Sequence, residues 1–386
     1  KLHLGPGQGR DEKRIDDGYE EFHWSHGPWP KWASNEYIQW VAEQGTPWEE
    51  IYPYPGFLSR QFATQLQTPG SANVWSGMPV ELHQSYWCAS TAIDFIDRHT
   101  SSPWMISVNF FDPHHPFDPP REFLDHYDPD SIPGPNFEEG ELETKPVFQQ
   151  IDHHGAYGGG GLSFADTSDR EHREITAAYY AMVENEDMNV GRVLDYLERT
   201  CQRDNTIVIF MSDHGEMLGD HGIYLKGPYL YDAVTRVPLI ISWPAAFKQG
   251  LESSALVELV DLAPTLLEAV GERPANGMQG SSFLSICGGD GAPDVHRSEV
   301  YSEYQNAMTE HTKPRPYLVS VRDNHYKVVA YSGMKGEFYD IKEDPGETHN
   351  LWDVPTLRDV RDHYLYRCIS RQMLTADPLP ERETAF

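Results

Sequence analysis

The sequence predicts an α/β protein: a sheet covered on both faces by helices, then a smaller antiparallel subdomain at the C-terminus. Three observations carry this. Continuous apolar, β-branched runs at 206–211 and 237–242 read as strands buried on both faces. A long stripe in Glu171–Thr200 has the helical period, so strand and helix alternate. From about residue 316 the runs shorten and turn signals multiply.

Taken in order, residues 1–80 are rich in Trp, Tyr, Pro and Gly with little periodicity, and read as irregular with short helices. Ser85–Arg98 reads as a helix with Cys88, Ala92, Phe95 and Ile96 on one side. Trp104–Phe111 reads as a buried strand that ends at Asp112-Pro113. Residues 118–169 form a long connection, which is either functional or mobile, and Gly158–Gly161 within it reads as a flexible linker or lid. That glycine run lacks the Lys-Ser/Thr of a phosphate loop, and the neighbouring His153 and His154 read as solvated. Glu171–Thr200 follows with Ile175, Tyr179, Met182, Val183, Val190, Val193, Leu194 and Leu197 on its stripe. After the second strand run, Asp261 is the expected N-cap of a helix with Pro264 in its first turn and Gly271 at its end. Short strands are predicted at Tyr317–Val321, Tyr326–Tyr331 and Glu337–Ile341, which divides the chain into 1–315 and 316–386.

Composition narrows the function classes. With 30 Lys+Arg against 60 Asp+Glu the net charge is −30, which repels nucleic acid and anionic membranes at long range. An anionic substrate would need a local cluster of cations. The longest apolar stretch, 237–247, is broken by Ser242 and Pro244 and is too short to span a bilayer. Four cysteines stand far apart with no CxxC pair, so neither a disulfide framework nor a zinc site is indicated.

Chemistry gathers at strand ends. Asp213 and His214 directly follow the run at 206–211, where ligands collect in α/β sheets. A carboxylate beside an imidazole suits a divalent cation, and a capped turn is the plainer alternative. Asp112-Pro113-His114-His115-Pro116-Phe117 lies beyond another predicted strand, with His114 held among prolines as a donor to an anion. Lys226, beyond the loop Gly219-Asp220-His221-Gly222, could neutralise a tetrahedral anion and its leaving oxygen. Taken alone it reads as a solvated lysine.

These segments together resemble the type I sulfatases of the alkaline phosphatase superfamily. SDHGEMLGDHG with Lys226 and RVPLIISWP looks like the family's metal-and-lysine block, and DPHHPF resembles its central histidine motif. Lys1-Leu2-His3-Leu4-Gly5 looks like the end of a G-K-x-H-x-G motif, and VELVDLAPTLLEAVG like the helix after the third site strand. Tyr339-Asp340-Ile341, Asp344-Pro345-Gly346-Glu347 and Asn350-Leu351 resemble the family's closing segment.

The resemblance implies an alkaline-phosphatase-like central mixed sheet flanked by helices, and hydrolysis of a sulfate ester on a small molecule or carbohydrate. Asp213 and His214 would ligate one divalent ion, expected to be calcium, with Mn2+ and Mg2+ as alternatives. Lys226 and His114 would contact the sulfate and its bridging oxygen, while Lys1 and His3 would hold the nucleophile and the sulfate. Asp220 and His221 would be supporting residues. The family's C/S-x-P-S-R motif, source of the formylglycine nucleophile, and its upstream Asp pair do not occur in this sequence. Both are expected upstream of Lys1, so residues 1–386 alone are expected to be nearly inactive. Two alternatives stand beside this reading: a phosphonate or phosphate ester hydrolase on the same scaffold, and a non-catalytic member binding anions or glycans.

Overall fold

The computed structural model describes residues 18–25, 35–46, 77–159, 161–305 and 315–376. Its principal elements are α1 (Glu36–Glu43), α2 (Gln84–Arg98), α3 (Val147–His153) and α4 (Asp169–Arg199). Strands β1 (Val208–Met211) and β2 (Leu239–Ser242) precede α5 (Leu262–Ala269). Strands β3 (Val300–Gln305), β4 (Tyr317–Arg322), β5 (Tyr326–Tyr331) and β6 (Glu337–Asp340) lead to α6 (Arg358–Ala376). Two compact units result: Lys1–Gly134 with Thr167–Arg203, and Pro135–Asp166 with Asp204–Phe386.

In the first unit, α4 starts on a full capping box. Ser168 accepts from the Glu171 N–H, and the Glu171 carboxylate returns to the Ser168 N–H. Its stripe buries Ile175, Ala178, Ala181, Met182 and Leu197, but also Asn185 and Asn189. Helix α2 packs beside it through small residues, Ser85, Ala89 and Ala92. Arg192 of α4 bonds the Tyr86 carbonyl and the Ser90 hydroxyl at 3.1 and 2.9 Å. The predicted strand at 104–111 carries no ladder, and Met105 is 69% exposed. Among the described residues it pairs with no strand.

In the second unit, β1 and β2 pair antiparallel with Val208 opposite Ser242 and Met211 opposite Leu239. One face of the pair, Ile209, Leu239 and Ile241, packs with Leu262, Phe283 and Ile286. The other does not: Ile240, on the opposite face, is 62% exposed. The apolar runs were expected to be buried on both faces, whereas the described residues cover one. Both sheets among the described residues are antiparallel.

The C-terminal sheet is a meander in the order β3-β4-β5-β6. It contains a strand, Val300–Gln305, that lies before residue 316, so the sheet starts earlier than the sequence reading placed it. It is buried on both faces. Val321, Val328 and Phe338 pack against Tyr364 and Cys368 of α6. Leu318, Val329, Tyr331 and Tyr339 pack with Phe148, Met217, Ile223, Tyr229, Tyr231 and Val234. Each such side chain contributes about 1.5–3 kcal/mol, so the sheet and the 217–234 segment stabilise one another.

Asp261 does not cap α5 with its side chain. A 3-10 turn at Leu259–Asp261 precedes the helix, and the buried carboxylate accepts from the Glu258 and Ser281 N–H groups and from Arg297. Burial would raise this carboxyl, but those donors outweigh it and hold it below its usual range. All four cysteines are free thiols.

Candidate active site

Beyond β1 the backbone turns sharply. The Ser212 hydroxyl donates to the His214 carbonyl at 2.7 Å, and the His214 N–H donates to Asp213 Oδ1 at 2.9 Å. His214 Nδ1 lies 2.9 Å from the Gly215 carbonyl, which places a proton on Nδ1 and, in the neutral ring, the lone pair on Nε2. Nε2 faces Asp213 Oδ2 at 3.5 Å. A carboxylate oxygen and an imidazole lone pair thus lie side by side, with the other ring nitrogen bonded to a backbone carbonyl. That is the arrangement of a metal-binding histidine. Among the described residues no group of three or more His, Cys, Asp or Glu gathers as a metal cluster.

The next residue must be glycine. Gly215 N–H donates to the Val234 carbonyl at 2.7 Å, and a Cβ there would stand 1.9 Å from the Ala233 carbonyl oxygen. From here the chain makes a tight antiparallel excursion. The Met217 N–H bonds the Leu225 carbonyl and the Gly219 N–H bonds the Ile223 carbonyl, both at 3.0 Å. This register sets Glu216 opposite Lys226 at the base of the loop. Both are half-buried. Loss of solvent raises the Glu216 carboxyl, opposed by Lys226 and by the N–H groups of Leu218, Leu225 and Met217.

Supporting contacts hold the loop tip. His221 is buried, bonded to Glu141 and stacked on Tyr231 at 3.8 Å, while Asp220 accepts the Asn136 N–H at 2.8 Å. Lys145 joins Glu141 at 3.3 Å and donates to the Tyr339 hydroxyl at 2.6 Å. The connection 135–166 therefore packs into the unit's core rather than forming a free linker. His153, read as solvated, is pinned to the Gly222 carbonyl at 2.7 Å, whereas His154 is exposed.

His114 belongs to the first unit. Its Nδ1 bonds the His115 carbonyl, and its ring stacks on His115 at 4.1 Å and lies 4.7 Å from Phe111. Behind it lies a buried polar cluster that the sequence reading missed. Asp112 Oδ2 accepts from the Ser85 hydroxyl at 3.1 Å and from Asn185 Nδ2 at 3.4 Å, with His83 Nε2 at 3.7 Å. Asn185 also lies 3.1 Å from His83 Nδ1. The visible signal was Asn185 and Asn189, four apart on an otherwise apolar helix face. Burial and nearby Asp112 push the adjacent Glu186 carboxyl up to about 8. Asp213 and His214 are brought together, Lys226 returns beside their segment, and Lys1 and His3 lie outside the described residues.

The sulfatase family model matches residues 83–272, and a model of the N-sulphoglucosamine sulphohydrolase C-terminal region matches 219–372. Residues 83–272 are a sulfatase-family domain. Among its relatives is the multifunctional alkaline phosphatase superfamily protein PehA of Trinickia caryophylli. It is 28% identical over 88% of this chain and 68% of its own length. An N-acetylglucosamine-6-O-sulfatase of Bacteroides thetaiotaomicron is 35% identical over 47% of this chain and 33% of its own. A phosphonate monoester hydrolase structure from Silicibacter pomeroyi superposes with a TM-score of 0.67 at 25% identity. The match covers 84% of this chain and 68% of that one. With an Escherichia coli and a Clostridium perfringens relative included, the chain spans 33% to 68% of the curated relatives' lengths.

Proposed function

We propose that the protein hydrolyses a sulfate ester carried by a small molecule or carbohydrate. In this reading Asp213 and His214 hold a divalent cation, and Lys226 and His114 contact the sulfate and its bridging oxygen. Lys1 and His3 are assigned to the nucleophile and sulfate. The observation that carries the reading is the His214 ring, its Nδ1–H committed to the Gly215 carbonyl and its Nε2 turned to Asp213. The sulfatase-named relatives supply the anion.

The donor set bears on the metal. Calcium takes six to eight oxygens, and His214 offers nitrogen, so a cation that accepts imidazole beside carboxylate, such as Mn2+, fits better. Bound there, the cation would supply Lewis-acid stabilisation of charge on the sulfuryl oxygens. The chain's own groups do the rest: Lys226 meets charge developing on the leaving oxygen, and His114 serves as hydrogen-bond donor to it. The family's nucleophile is a formylglycine, and no residue of this chain is assigned that role.

A second reading, phosphonate monoester hydrolysis, is favoured by one observation: the Silicibacter pomeroyi enzyme matches over 84% of the chain. Paired assays decide. The full-length natural protein, loaded with Mn2+ or Ca2+, is expected to turn over 4-nitrophenyl sulfate faster than 4-nitrophenyl phenylphosphonate. The reverse order would replace the first reading by the second, and no turnover of either would leave an anion-binding protein.

A further inference from the structure

The glycine-rich stretch near residue 158 is not a linker but a tight knot. The Ala156 N–H bonds the Leu162 carbonyl at 3.0 Å, the Gly159 N–H the Gly155 carbonyl at 2.6 Å, and the Gly161 N–H the Ala156 carbonyl at 2.7 Å. Its glycines are there for space. A Cβ on Gly155 would lie 2.9 Å from the Gly159 backbone, and one on Gly161 would lie 2.8 Å from the Ala156 oxygen. At the centre Tyr157 takes φ 58° and ψ 49°, a left-handed conformation that an ordinary side chain adopts only when its surroundings enforce it.

Contacts from the lysine segment and its partners hold it. Buried Asp152 accepts the Gly158 N–H at 2.8 Å through one oxygen and the Tyr229 hydroxyl through the other. Tyr229 in turn fills the space where a Cβ on Gly227 would sit, 2.4 Å away. Asp152 therefore ties the knot to the chain immediately after Lys226. Tyr157 is 4% exposed, and its hydroxyl oxygen meets the backbone N–H of Lys226. Burial raises the phenol, with Glu216 adding to it, so the hydroxyl stays neutral and can accept that N–H.

We propose that Tyr157 is a positioning residue for Lys226, fixing the backbone from which the ammonium reaches the ester. This rests on the reading of Lys226 as the cation at the leaving oxygen. Strain in the knot persists because it sets this one hydroxyl against this one amide. Tyr157 itself touches no substrate in this scheme and acts through the lysine.

The test is a double-mutant cycle in the full-length natural protein, with Tyr157→Phe, Lys226→Ala and the pair, on 4-nitrophenyl sulfate and phenyl sulfate. Tyr157→Phe removes one oxygen and should lower kcat roughly tenfold while KM moves less than about twofold. The deficit should be larger on phenyl sulfate, whose poorer leaving oxygen depends more on the lysine. In the Lys226→Ala background the same change should cost nothing further. Equal deficits on both esters, or a full tenfold loss in the Lys226→Ala background, would reduce Tyr157 to a packing residue. An unchanged rate for Lys226→Ala would instead remove the functional reading beneath it. Should Tyr157→Phe not fold, hydrogen exchange on the unmodified protein carries the test. The Lys226 amide must be protected, and exchange at the rate of a free loop amide would overturn the proposal.

Discussion

Gly215→Ala tests the backbone of the site directly. The new Cβ would fall 1.9 Å from the Ala233 oxygen, 3.0 Å from its carbonyl carbon and 3.2 Å from Val234 Cα. All three are backbone atoms, so no side chain can swing aside, and the two segments must part by about 1 Å. The Gly215–Val234 hydrogen bond, 2.7 Å long, does not survive that separation. Overpacking costs about 1–3 kcal/mol and the lost bond about 1, for a total of about 2–4 kcal/mol. For a chain of 386 residues that corresponds to a fall in Tm of roughly 2–5 °C. The Gly215 carbonyl also holds His214 Nδ1, so Mn2+ affinity should drop about 10- to 100-fold by titration calorimetry. A variant melting with the wild type would refute the close approach. A destabilised variant with unchanged Mn2+ affinity would refute the link from Gly215 to a metal-binding His214. Gly191→Ala is the control: it lies in α4 with nothing within 4 Å of the new Cβ, and should stabilise by about 0.5–1 kcal/mol.

Other outcomes follow from the charges. Lys327 is 2% exposed and sits 3.1 Å from Asp232 and 2.6 Å from Glu347, so Lys327→Met strands the buried Glu347 carboxylate and leaves Asp232 to Arg322 alone. Urea denaturation should show a loss of about 3–5 kcal/mol. Glu186, pushed up to about 8 by burial and Asp112, binds its proton more tightly folded than unfolded. Stability should therefore be fullest below the unfolded carboxylate pKa and decline as pH rises through about 8. Glu186→Gln should flatten that decline in thermal melts across pH 5–9. Lys226→Ala should cut turnover about a hundred- to a thousandfold with little change in Mn2+ content. Asp213→Ala should lower metal affinity first, read by metal analysis alongside kinetics.

What could be read from the sequence was what repeats or stands in a motif. The α4 boundaries came within two residues because the apolar stripe from Ile175 to Leu197 keeps its helical period. The meander was legible because Asp323-Asn324 and Ser332-Gly333 mark turns; Asp323 accepts the His325 and Tyr326 N–H groups at 2.9 and 3.0 Å. Asp213 and His214 were legible as a pair because they adjoin a strand end. Tyr157 was not, since its partner Lys226 is remote in sequence and glycine runs usually signal freedom. The same holds for Asp112: three of its neighbours, His83, Ser85 and Asn185, come from elsewhere in the chain and follow no local pattern. Asp261 stood at a helix start but was claimed by Arg297, a long-range partner that outbids a local cap.

The two-sided burial of the C-terminal sheet bears on how such proteins can be recombined. A graft that exchanges residues 300–376 for those of a relative keeps the pairing of Phe338 with Tyr364, because both travel together. It breaks the opposite face, where Leu318, Val329 and Tyr339 meet Phe148, Met217 and Tyr231 from the recipient. The recipient's Gln149, bonded to Glu337 at 2.8 Å, would also face a foreign partner. A working chimera must therefore carry residues 135–166 and 204–234 with the sheet. Loop and meander form one heritable block.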